Sequence, residues 1–165
     1  MRPAFILIAL LITVSTSSVD AAFPASPPKM PATVIAPSWP LLQALEGKVV
    51  LVDFWASWCS PCLRSFPWMN ELQKRFGGDG FEVVAVNLDQ DRALADAFLE
   101  KVPVEFRVEY DPEGNIARQF DVQAMPSSFL IDRNGRVRVR HAGFRDRQRQ
   151  EREANIRQLL EEEAS

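Results

Sequence analysis

The only two cysteines of the 165-residue chain stand three apart in Trp58-Cys59-Ser60-Pro61-Cys62. That spacing puts both thiols in the first turn of a helix that starts at Ser60, where unpaired backbone N–H groups and the helix dipole favour a thiolate. Cys59, at the very start, is the nucleophile. Cys62 lies about one turn further in, on the same face and more buried, so it is placed to attack a mixed disulfide at Cys59 and release the product. Pro61 suits the first turn because its missing N–H would have no helical partner there. Trp58 is placed to shelter the pair. The chemistry is dithiol–disulfide exchange, which needs no cofactor and no metal.

Other uses of two cysteines fit less well. A purely structural bridge closing so short a loop would stabilise the fold by only about 2 kcal/mol. A structural zinc site takes four ligands, and Cys59, Cys62 and His141 make at most three. Inert thiols do not persist in an oxidising compartment. The remaining composition, 47% hydrophobic and 25% charged, is that of a soluble globular protein, with one domain as the default. With 19 Lys+Arg against 22 Asp+Glu the net charge is −3, so no broad basic field exists to hold nucleic acid or an anionic membrane.

The N-terminus points to export. Arg2 precedes the apolar stretch 3–14 (PAFILIALLITV), polar residues 15–18 and the small Ala21 and Ala22, the order of a secretory signal peptide over residues 1–22. The apolar run is shorter than the ~20 residues of a spanning helix, which favours cleavage over an anchor kept in the inner membrane. Residues 23–38 hold six of the twelve prolines and read as an extended linker. Residues 39–165 are the folded domain.

Within that domain the elements alternate. Residues 48–55 (KVVLVDFW) and 81–88 (FEVVAVNL) are continuous apolar runs expected of strands buried on both faces. Between them lies the helix 60–76, which contains Pro67 and is stopped by Gly77, Gly78 and Gly80. Asp89 or Asp91 caps a helix over 92–101, and a short strand at 107–110 leads into a turn at 111–115 and a short helix reaching Phe120. Residues 127–132 and 137–142 form an antiparallel hairpin through Asn134-Gly135. A helix over 147–163 closes the chain, with Ala154, Ile156, Leu159 and Leu160 as its apolar stripe and its charges on a solvated face. The sum is a three-layer α/β domain with a mixed central sheet flanked by helices and a small central insertion.

Residues 47–67 (GKVVLVDFWASWCSPCLRSFP), with 125–132 (MPSSFLID) and Asn134-Gly135, resemble the exported thioredoxin-fold thiol–disulfide oxidoreductases of the TlpA/ResA type. The resemblance runs from Trp39 to Phe144 and takes in the insertion between Arg107 and Phe120. It implies that Pro126 is a cis-proline beside the cysteine pair, turning the Met125 backbone toward an extended substrate segment. Asp53, six residues before Cys59, matches the buried aspartate of thioredoxin and is a candidate proton shuttle for Cys62. Two departures stand out. Ser65 occupies a position where this branch often has glutamate, and Ala85 matches the lysine that accompanies the buried aspartate in thioredoxin.

The resemblance also implies a periplasmic monomer that reduces protein disulfides, as in cytochrome c maturation or copper-site assembly, and is fed by a membrane electron donor of the DsbD/CcdA type. The main rival is a copper-binding or metallochaperone module on the same thiolates, with His141, Met125 or Met69 as third ligand. A thiol peroxidase is a weaker one, since its reactive cysteine needs no partner three residues away. His141, in the second strand of the hairpin, reads as a surface residue, and Trp55, Phe54, Phe66 and Phe129 read as core.

Overall fold

The computed structural model describes residues 35–162. The segment read as a signal peptide therefore lies outside the described residues, as does most of the proline-rich stretch. The end of that stretch is tied to the domain: Ile35 bridges to Arg136, and the Ala36 N–H donates to the Gly135 carbonyl at 2.7 Å.

Five strands form one mixed sheet in the order β3-β2-β1-β4-β5. They are β1 (Val49–Trp55), β2 (Phe81–Asn87), β3 (Arg107–Tyr110), β4 (Ser127–Ile131) and β5 (Val137–Ala142). The first three are mutually parallel, β4 is antiparallel to β1, and β5 is antiparallel to β4. Central β1 is buried at all seven positions, which explains why its sequence is an unbroken apolar run rather than an alternating one.

The strand period of two sorts β1 onto two faces. Val49, Leu51 and Trp55 join one core with α2 (Ser60–Phe76), α3 (Arg92–Lys101) and α5 (Arg149–Glu161). Val50, Val52 and Phe54 join the other, with the short α1 (Pro40–Gln43) and α4 (Asn115–Gln119) close by. On the first face Trp55, Phe66 and Phe98 stack with centroids 4.8–5.3 Å apart, so β1, α2 and α3 share one aromatic cluster. Such pairs add about 1 kcal/mol each beyond simple burial.

Local sequence rules decide most element ends. Pro61 enters the first turn of α2, and the helix passes through Pro67 without a break. A single 3-10 turn at Gly77–Asp79 then leads to Gly80, whose φ of 87° no side chain tolerates well. Gly135 ends the hairpin turn at φ 71°. Buried Asp111 accepts hydrogen bonds from the N–H groups of Asn115, Ile116 and Ala117 at 2.7–2.9 Å, satisfying the start of α4.

The final helix departs from expectation. Its buried positions are Arg152, Ile156 and Leu159, while Ala154 is exposed. The phase of i, i+4 and i+7 places an arginine where an aliphatic residue would normally stand, so the charges of α5 do not all lie on a solvated face.

Replacing Asp111 by alanine leaves three helix-start N–H groups without their acceptor. Urea denaturation should show Asp111→Ala less stable than the parent by about 2 kcal/mol.

Candidate active site

The end of β1 and the start of α2 place the two cysteines. Cys59 is the residue before the helix, with extended backbone (φ −83°, ψ 91°), and Cys62 closes the first turn by donating its N–H to the Cys59 carbonyl at 2.9 Å. The side chains form a disulfide with Cα atoms 5.4 Å apart. Cys59 keeps 3% exposure and Cys62 none, so the outer sulfur is the one a partner can reach.

The loop leading into Cys59 is held by a residue that the sequence assigned elsewhere. Asp91, not Asp89, caps α3, accepting from the Ala93 N–H. Buried Asp89 instead accepts from the Ser57 N–H at 2.8 Å and the Ser57 hydroxyl at 2.9 Å. The Asn87 amide donates to the same carboxylate at 2.7 Å, and the Leu88 N–H reaches the Trp55 carbonyl at 2.9 Å. The end of β2 thus clamps the turn from which Cys59 projects. Pairing of an aspartate with a serine 32 residues away has no local sequence signature.

Two large apolar side chains next to the pair in sequence are exposed, among polar neighbours Ser60 and Arg64. Trp58 is 69% exposed and Leu63 47% exposed, so Trp58 stands out into solvent instead of sheltering the sulfurs. Met125 is half-buried against the core cluster that contains both cysteines. The Met125–Pro126 bond is cis, and the Gly143 N–H donates to the Pro126 carbonyl at 2.8 Å, fixing the segment from β5. Ser65, buried, donates its hydroxyl to the Cys62 carbonyl at 3.1 Å.

Beneath the pair lies a polar row across the sheet. Ala85 of β2, Asp53 of β1, Ser128 of β4 and His141 of β5 are consecutive register partners. Asp53 falls between Leu51 and Trp55, on the face that carries the cysteines. It is 3% exposed, and its Oδ2 accepts no hydrogen bond from the described residues. Burial pushes its pKa up to about 7, opposed by the positive charge of Arg152.

His141 is 4% exposed and not a surface residue. Val139 and His141 share the inward phase of β5, and burial followed by the nearby Arg152 charge lowers its pKa to about 3, so the imidazole is neutral. Among the described residues no group of three or more His, Cys, Asp or Glu gathers as a metal site would require.

A family model described as redoxin matches residues 39–160, nearly the whole described domain. The chain belongs to the redoxin family. It is 36% identical over 96 residues to the thiol-disulfide oxidoreductase ResA of Bacillus subtilis (strain 168), covering 58% of this chain and 54% of that protein. ResA of Bacillus thuringiensis subsp. konkukian is 35% identical over 96 residues, 58% of this chain and 56% of its own length. This redoxin thus spans about half the length of the curated relatives it matches. A crystal structure from Chlorobium tepidum, titled as a thiol:disulfide interchange protein DsbE, superposes with a TM-score of 0.75 at 45% identity. That match covers 82% of this chain and 99% of the other, so the two share a thioredoxin fold.

The two buried titrating groups pull stability in opposite directions. Asp53, raised from 3.8 to about 7, contributes stability that is complete below the lower value and lost as pH climbs through the upper one. His141, lowered from 6.5 to about 3, contributes stability that is complete above 6.5 and lost as pH falls toward 3. Between 3.8 and 6.5 the slopes cancel, and urea midpoints of the oxidised protein should be nearly flat with pH. In that window Asp53→Asn should leave a stability that rises with pH, and His141→Gln one that falls with pH. Each change should amount to on the order of 3 kcal/mol. Parallel profiles for both variants would contradict the assignment.

Proposed function

We propose that this redoxin is an exported thiol–disulfide oxidoreductase that reduces protein disulfides by cycling the Cys59–Cys62 pair. The observation that carries the reading is the disulfide at the start of α2, with Cys59 the slightly exposed outer residue and Cys62 fully buried. Relatives named thiol-disulfide oxidoreductase and thiol:disulfide interchange protein support it.

In the reduced protein the Cys59 thiolate, favoured by the open N–H groups of α2, attacks one sulfur of a substrate disulfide. A Cys59–substrate disulfide forms and the other substrate sulfur leaves as a thiolate. Cys62 then gives its proton to the Asp53 carboxylate, and its thiolate attacks Cys59 Sγ. The Cys59–Cys62 bond forms, the bond to substrate breaks, and the electron pair leaves on the second substrate sulfur. Two electrons have passed from the protein dithiol to the substrate. A dithiol donor of the DsbD/CcdA membrane type restores the starting state. Trp58, Leu63, Met125 and Pro126 form the docking rim for an extended segment around the substrate cysteine.

The expected substrates are oxidised cysteines of apocytochrome c or of a copper-site assembly protein, met by a monomer in the periplasm. The leader at 1–22 supplies the export, and among the described residues no helix is long and apolar enough to cross a membrane.

The reduction potential of the pair in glutathione or dithiothreitol buffers tests the direction of flux. A value near or below about −230 mV fits a reductant, whereas one near −120 mV marks an oxidant and overturns that part of the reading. Cys62→Ala should trap mixed disulfides through Cys59, and Cys59→Ala should trap none. Equal trapping by both would sink the division of roles.

A further inference from the structure

We propose that Arg152, on the last helix, is a positioning residue that holds Asp53 ready to take the Cys62 proton, in place of a cation on the strand beside it. The inference rests on the dithiol cycle proposed above and adds the residue that makes its acid–base step workable.

The geometry is specific. Asp53 has no charged neighbour within the sheet: β2 offers Ala85, β4 offers Ser128, and β5 offers His141, which is neutral. From α2 the facing groups are Cys59 and Cys62. From α5 comes Arg152, 4% exposed, at the first position of the helix's buried stripe. Its Nη2 donates to the Gly143 carbonyl at 2.7 Å, and its Nη1 lies 3.4 Å from the Ser128 hydroxyl, which neighbours Asp53 in register. Its Nε is buried and makes no hydrogen bond with the described residues, just as Asp53 Oδ2 does not.

Two buried, incompletely bonded groups of opposite charge sit over one row of the sheet. Glu151, the other acid that acts on Arg152, is half-buried on α5 itself. An isolated buried carboxyl would hold its proton well above neutral pH and could accept none from Cys62. The guanidinium draws the carboxylate form back into the neutral range. The same residue reaches the substrate side of the site, because Gly143, which accepts from Arg152, donates to Pro126.

The full exported domain, reduced, is mixed with excess Ellman's reagent in a stopped-flow instrument. Attack by Cys59 releases one thionitrobenzoate at a rate that grows with reagent concentration, and resolution by Cys62 releases a second at a rate that does not. In the parent the second phase should accelerate through neutral pH. Arg152→Met should move that midpoint up by about one pH unit and slow the phase about fivefold at pH 7, with the first phase changed less than twofold. In an Asp53→Asn background the same substitution should shift the profile no further.

Should Arg152→Met not fold, Arg152→Lys and Arg152→Gln carry the comparison, since both shorten the side chain and only one keeps the charge. The lysine variant should retain the parental midpoint and the glutamine variant should not. Equal midpoints, or a shift that persists without the Asp53 carboxyl, overturn the inference while leaving the dithiol cycle intact. Release of a single thionitrobenzoate by the parent overturns the cycle itself, and the inference with it.

Discussion

A carboxyl group on a strand covered on both faces is the constraint around which this domain is arranged. β1 supplies the sheet with its centre and ends at the turn that delivers Cys59, so its residues cannot be moved to solvent without losing the fold. Asp53 therefore sits out of water, where ionisation is costly, directly on the face that carries the cysteines. Every charged or polar group nearby bears on that cost. Arg152 offsets it, neutral His141 and Ser128 extend the row without adding charge, and Ala85 leaves the opposite side apolar.

The cysteine pair is held by the same economy of few contacts. α2 begins where β1 stops, and the turn between them is clamped by Asp89 from the end of β2. The cis-proline segment is fixed by Gly143, which is bonded in turn to Arg152. Helix α5 also meets α2 directly: Glu153 accepts from the Trp68 indole at 3.3 Å and from Arg75 at 2.9 Å. The last helix thus braces the helix that carries Cys62 and at the same time supplies a charge beneath it. Trp58 and Leu63 remain exposed, and none of these bracing contacts involves them.

Much of this was legible in the chain. The bounds of α2, the parallel strands β1 and β2 and the antiparallel hairpin follow from helix-start chemistry, apolar runs and turn residues. His141 was misread because its burial follows from continuing the inward phase of Val139, a pattern carried by only two residues. The cap of α3 stayed open between Asp89 and Asp91 because both suit the local rule, and the structure gives the cap to Asp91 and Ser57 to Asp89. Arg152 was placed with the solvated charges of α5, although the phase that makes Ile156 and Leu159 buried includes it.

The sequence by itself determined where the thiols stand: two cysteines three apart at a helix start, since their spacing, the helix N–H groups and Pro61 are all local. It also determined which strands are central, because burial on both faces leaves no polar alternation. Only the tertiary structure decided which charges are taken out of water and what they then meet. Arg152 follows Asp53 by almost a hundred residues, and their interaction exists because α5 packs over the row Asp53, Ser128 and His141. Coulomb energy depends on distance and dielectric, and neither is set until helix and sheet have closed on one another.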